Sequence, residues 1–322
     1  MSRFQSFLAP WMESFATFQQ AAGRWNGTYE QNLRLFDSHC LRMFPSEAAL
    51  TEKMVASWCA KRITESNNSC RVRIYAVSNF INYLAARGLT DVSGPDIPKM
   101  KRSAYIPHTF TEQELCMFFR ACDNLPARPN SLAVNTRRLV VPAFFRLLYS
   151  SGIRTNEARL LRTDDADLEE GVLNIRTSKG YAQHFVALHA TMTELLRIYD
   201  ASIRSIHPGR VYFFPSSKGA NLSNYWVVYN FNCLWRKVSP AHATAYELRH
   251  NYAAENINQW VGNRFESFSK MVYLSKSMGH VTLDSTKRYF HIVPTMSDVL
   301  RELTGDTFES VVPEVPDEKS YW

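Results

Sequence analysis

Residues 94–115 read GPDIPKMKRSAYIPHTFTEQEL, and they split the chain in two. Pro95, Pro98 and Pro107 punctuate the segment, Lys99, Lys101 and Arg102 charge it, and no apolar period runs through it. Such a stretch is a stiff basic connector, not a helix or strand. Thr111–Glu112–Gln113–Glu114 then spells a capping box, with Phe110 and Leu115 placed as a hydrophobic staple across the new helix start. These signals predict a first domain over 1–103, a linker over 104–110 and a second domain over 111–304, with 305–322 as a tail.

The first domain reads as helical. Met54, Val55, Trp58 and Cys59 form one face of a helix over Leu50–Thr64 after a Thr51 cap. Ser69–Arg87 repeats the pattern with Val72, Tyr75, Val77, Phe80, Ile81 and Leu84, and Gly88 stands where a helix-ending glycine belongs. The second domain is mixed. Thr136–Tyr149 predicts a buried helix ended by Gly152, and Asp164–Gly171 an acidic loop. Val172–Arg176 and His184–His189 predict two short strands around a Thr177–Gly180 turn. Helical periods return at Met192–Ala201, Asn224–Val238, Ala243–Trp260, Ser269–Met278 and Ser285–Ile292. The expected fold is mainly α with a small antiparallel β-sheet.

Of the 322 residues, 45% are hydrophobic and 21% charged, which supports a packed core and excludes wholesale disorder. No apolar run reaches the ~18 residues of a membrane span, and the first thirty residues lack the pattern of a secretory leader. The expected location is the cytoplasm. The formal charge is +7, but residues 305–322 carry −4, so the body carries +11. A basic body suits a polyanionic partner such as nucleic acid. The six cysteines form no CxxC or CxxH pair, which argues against a zinc site and a disulfide framework.

Four segments of the second domain concentrate reactive residue types: Ser151–Gly152–Ile153–Arg154–Thr155–Asn156–Glu157, with an arginine after a glycine turn; Lys179 at the hairpin tip; Tyr246–Glu247–Leu248–Arg249–His250 within a predicted helix; and Met278–Gly279–His280, followed nine positions later by Tyr289. In this order they resemble the tyrosine recombinase (phage integrase-like) family. Its catalytic domain carries an arginine after a glycine turn, a hairpin lysine, a His-x-x-Arg box, a Gly-His pair and a tyrosine nine residues further on. The matches are Arg154, Lys179, the Tyr246-x-x-Arg249 box, Gly279–His280 and Tyr289, with 25 residues from Arg154 to Lys179.

The resemblance covers Thr111 to about Leu303 and implies a DNA-cleaving and rejoining enzyme whose helical first domain clamps DNA. It implies a tetramer on paired double-stranded DNA sites, with no cofactor or metal. Chemistry gives independent reasons for the residue types. Attack on a phosphodiester builds negative charge on its non-bridging oxygens, and two guanidiniums hold such oxygens bidentately at any cellular pH. His280 adds a donor. A tyrosine hydroxyl, ordinarily near pKa ~10, becomes a nucleophile where cations favour the phenolate. Lys179 is placed to protonate the leaving 5′-oxygen as general acid.

Two departures stand out. The box begins with Tyr246, which donates a hydrogen bond but is neither cationic nor a base near neutral pH. His242, Tyr246 and Arg249 fall at i, i+4 and i+7, so on a continuous helix His242 shares their face and partly compensates for the missing histidine. The 31-residue interval from Arg249 to His280 is also long for the family, with the extra segment expected around Trp260–Phe268. Lys99, Lys101 and Arg102 in the linker, with Arg71 and Arg73 in the first domain, are the candidate phosphate contacts. The acidic tail, with Val311, Val312, Val315 and Trp322, is expected to pack on a neighbouring protomer. The favoured reading is a recombinase of a mobile element, acting alone or with other recombinases of that element. A chromosome-dimer resolvase and a catalytically silent architectural relative are the alternatives.

Overall fold

The computed structural model describes residues 3–101, 107–128, 130–176, 183–260, 267–280, 282–287 and 289. The chain divides into two compact units, Met1–Tyr105 and Ile106–Trp322.

The first unit is built from α1 (Ala9–Ala21), α2 (Gly27–Met43), α3 (Glu52–Cys59) and α4 (Asn67–Ala85). Side chains of Asn26, Thr51 and Ser66 each accept a backbone N–H in the first turn of α2, α3 and α4, satisfying donors a helix start leaves open. Phe15, Phe36, Trp58 and Phe80 fill the core between them. α3 ends five residues before the predicted Thr64, and Arg73 supplies the reason. Its buried guanidinium takes the carbonyls of Trp58 and Ala60 and pairs with Glu65 at 2.6 Å.

Arg73 therefore leaves the set of phosphate contacts: it is 3% exposed and its donors are committed inside the unit. Arg73→Ala should strand the Glu65 carboxylate and cost about 3–5 kcal/mol, read by denaturation. The slope of DNA affinity against salt should stay unchanged, since no phosphate contact is lost.

Arg71 donates to the Pro98 carbonyl at 2.9 Å, Asn67 to that of Lys99 at 2.8 Å, and Asn68 exchanges two bonds with the Lys101 backbone. The connector's first half thus lies along the start of α4, and the Lys99 and Lys101 side chains stay exposed. Arg102 lies outside the described residues.

In the second unit come α5 (Glu112–Asp123), α6 (Leu132–Ser151), α7 (Thr155–Leu160), β1 (Ala166–Asp167), β2 (Val172–Ile175) and β3 (His184–Ala187). They are followed by α8 (Ala190–Ile206), α9 (Asn224–Trp235), α10 (Glu247–Trp260), α11 (Ser267–Ser277) and α12 (Leu283–Lys287). The capping box forms as read: Glu114 N–H donates to Thr111 Oγ1 and Thr111 N–H to Glu114 Oε2, while Phe110 and Leu115 are both buried. The antiparallel sheet has the order β1-β2-β3, with Leu173 opposite Val186 and Ile175 opposite His184.

The predicted acidic loop contributes β1 and a preceding 3-10 turn (Thr163–Asp165), because Asp165 is buried and paired with Arg176. α6 packs against α5, α8 and α10 over a core rich in Phe118, Phe144, Phe145 and Phe231. A smaller apolar cluster of Ala253, Ala254, Ile257, Leu274 and Met278 joins α10 to α11 and receives Tyr289.

α10 starts four residues later than predicted. The Thr244 N–H donates to Glu247 Oε2 at 2.9 Å, fixing a turn before the helix, and Tyr246 lies in that turn. His242 lies outside the helix, so the face shared by His242, Tyr246 and Arg249 does not exist. Among the described residues no helix is long and apolar enough to cross a membrane.

Candidate active site

Gly152 ends α6 with φ 64°, and the chain passes at once into Arg154, the N-cap residue of α7. The Arg154 backbone N–H donates to Glu157 Oε2 at 2.7 Å, and its guanidinium contacts Glu157 Oε1 at 2.5 Å. The other arm reaches across the fold to the Gly279 carbonyl at 2.8 Å. Glu157 is buried, so it both caps α7 and balances Arg154.

Arg249 comes from the first turn of α10 and is 1% exposed. Nη1 donates to the Gly152 carbonyl at 2.5 Å, while Nη2 donates to the Met278 carbonyl at 2.8 Å and lies 2.9 Å from His280 Nε2. Its buried Nε has no hydrogen-bond partner among the described residues. Both arginines therefore converge on the carbonyls at the end of α11, where a helix leaves acceptors unpaired and partly negative.

Gly279 makes that end possible. Its φ is 62°, and a Cβ there would lie 2.5 Å from His184 Cε1 on β3. His280 follows, its Nδ1 2.7 Å from Thr286 Oγ1. Nε2 faces a guanidinium that can only donate, so the neutral ring carries its proton on Nδ1. Burial first, then Arg249 and Arg154, pushes His280 down to about 4. His250 is likewise pushed down to about 4 by burial and by Arg249.

Both rings are neutral when folded and protonate near 6.5 when unfolded, so the unfolded chain binds more protons between those values. Stability should fall as pH drops from about 6.5 toward 4. A thermal midpoint flat across that window would contradict these burials.

Tyr289 is 4% exposed, its ring stacked on His280 at 5.9 Å and tilted against His250 at 5.2 Å. Burial holds its hydroxyl above the ordinary value, opposed by the positive charge of Arg249. Tyr246 is half exposed at the rim, edge-on to His250 at 5.0 Å. Two guanidiniums against the Glu157 carboxylate leave one positive charge in excess, the complement of one phosphodiester.

Thus Arg154, Arg249, His280 and Tyr289 come together, with Tyr246 at the edge. Lys179 lies outside the described residues, between β2 and β3. Sequence reading gave no role to Glu157, His184 or His250; the i, i+4 spacing of Tyr246 and His250 was the available signal for the last. Among the described residues no group of three His, Cys, Asp or Glu side chains is placed to hold a metal.

The family model for the phage integrase family matches residues 108–295, and the chain belongs to that family. It is a tyrosine-type recombinase, an enzyme class that cleaves and rejoins DNA strands. It is 26% identical over 269 residues to the putative integrase/recombinase y4rB of Sinorhizobium fredii, covering 79% of this chain and 84% of that protein. It is 25% identical over 194 residues to the tyrosine recombinase XerC of Staphylococcus saprophyticus, covering 60% of each. A lambda integrase tetramer bound to a Holliday junction shares the fold at a TM-score of 0.58 and 16% identity, covering 88% of this chain and 76% of that one.

Proposed function

We propose that this chain is a site-specific recombinase or integrase working through a 3′-phosphotyrosyl intermediate. The supporting observation is the convergence of two guanidiniums, His280 and the Tyr289 ring on the end of α11. On DNA, Arg154 and Arg249 exchange carbonyl partners for the non-bridging oxygens of one phosphate. The Tyr289 hydroxyl releases its proton to solvent as its oxygen attacks phosphorus, the bond to the 5′-oxygen breaks, and Lys179 protonates that oxygen. The reverse attack by a 5′-hydroxyl rejoins the strand, so the bond energy is conserved and no nucleotide cofactor is required.

Lys99, Lys101, Arg102 and Arg71 are the proposed phosphate contacts that position the duplex. Residues 1–103 and 111–304 act as DNA-clamping and catalytic domains, and the assembly is a tetramer on paired sites, with the 305–322 tail packing on a neighbouring protomer. The Tyr246 box and the long Arg249–His280 interval favour a mobile-element recombinase over a chromosome-dimer resolvase. The same Tyr246 is the observation that favours a silent architectural relative.

The test uses duplexes from the ends of the host element, nicked so that the cleaved fragment diffuses away, incubated with protein in EDTA. A covalent protein–DNA band should form with wild type and vanish with Tyr289→Phe, while both bind the duplex equally. Binding without any band supports the silent relative.

A further inference from the structure

His250 is left without a role by the site residues assigned above. It follows Arg249 on α10, and its ring lies between Tyr246 at 5.0 Å and Tyr289 at 5.2 Å. Tyr289 also stacks on His280, which is tethered at both nitrogens by Arg249 and Thr286. The phenol ring thus packs against two imidazoles. His250 differs from His280 in having no tether: its Nδ1 is buried and has no hydrogen-bond partner among the described residues.

A buried, unmatched ring nitrogen is costly, and an apolar side chain would not carry that cost. The nitrogen therefore has a use in another state of the site. Tyr289 follows α12 by two residues, so its ring is placed by what it packs against. Its hydroxyl is the polar group that must be aimed when a phosphate displaces the carbonyl partners of Arg249.

We propose that His250 is a positioning residue for the nucleophile: on DNA its ring nitrogen accepts a hydrogen bond from the Tyr289 hydroxyl and points the oxygen at phosphorus. Tyr246 is the outer wall that holds this imidazole in place, which gives the departure from the usual box a purpose. The inference rests on Tyr289 being the nucleophile.

The experiment is single-turnover cleavage and rejoining on the nicked duplex with wild type, Tyr289→Phe, His250→Phe and His250→Gln. His250→Phe keeps the ring and loses the acceptor; His250→Gln loses the ring and keeps an acceptor. Duplex affinity should stay within about twofold of wild type in both variants. Cleavage should fall up to roughly 100-fold in His250→Phe, the scale of a misaimed reacting group, and be partly restored in His250→Gln.

Rejoining passes through the same transition state in reverse, so it should slow as well in His250→Phe. Wild-type rates in His250→Phe overturn the inference alone. So does loss of duplex binding in that variant, which marks a structural role. Absence of a band from wild type brings down the underlying reading as well.

Discussion

Arg249→Ala is expected to abolish strand cleavage and to destabilise the second unit together. The side chain is fully buried and ties Gly152 at the end of α6 to Met278 at the end of α11. Removing it leaves two buried carbonyls unmatched, at roughly 1–3 kcal/mol each, so about 3 kcal/mol or more should be lost in denaturant unfolding. The catalytic loss is separate. One preorganised donor to a developing oxyanion is worth roughly 10²–10³ in rate, and Arg249 also sets His280 and favours the Tyr289 phenolate.

Arg249→Lys separates the two effects. It keeps the charge but lacks the planar fork that holds two phosphate oxygens at once, so cleavage should still fall by about 10² or more in a folded protein. Near-wild-type cleavage by the lysine variant would show that bidentate geometry is dispensable.

Gly152→Ala should follow closely in size, for a different reason. At φ 64° an alanine carries about 1–2 kcal/mol of backbone cost, and its Cβ would overlap the Tyr252 ring. Tyr252 packs in the cluster that holds Tyr289, and the Gly152 carbonyl receives Arg249. A methyl group there pushes on the packing around Tyr289 and on the anchor of Arg249 at once.

The control is Gly88→Ala. Gly88 has the same left-handed backbone at φ 66°, but nothing lies within 4 Å of its added Cβ. It should cost only the backbone term and leave cleavage untouched. Gly152→Ala should lose about 2–4 kcal/mol and most of its cleavage. Equal behaviour of the two variants would mean that the close approach to Tyr252 carries no weight.

The contrast between these glycines shows what was legible in the sequence. Both mark helix ends in their local pattern, and both sit where the chain was read to turn. The capping box at Thr111 and Glu114 and the Phe110–Leu115 pair were equally local, hence readable. What the sequence hid depends on partners far along the chain. Arg71 and Arg73 look alike on one helix, yet one binds the connector backbone and the other is buried against Glu65.

α10 begins at Glu247 instead of Ala243 because a single side chain caps Thr244, which no periodicity reports. The later start of that helix removed the face that His242 was read to share with Tyr246 and Arg249, and only the packed rings brought His250 into the site. The tyrosine recombinase order was visible because its spacing is short-range. That two arginines 95 positions apart share the end of one helix was not.

The central claim is that Tyr289, and no other side chain, bonds to DNA. The most direct measurement traps the complex on the nicked duplex, digests it with protease and maps by mass spectrometry the residue that carries the nucleotide. The account predicts a 3′-phosphate ester on the peptide containing Tyr289. A nucleotide on Tyr246 or Tyr252, both packed near Tyr289, would contradict it.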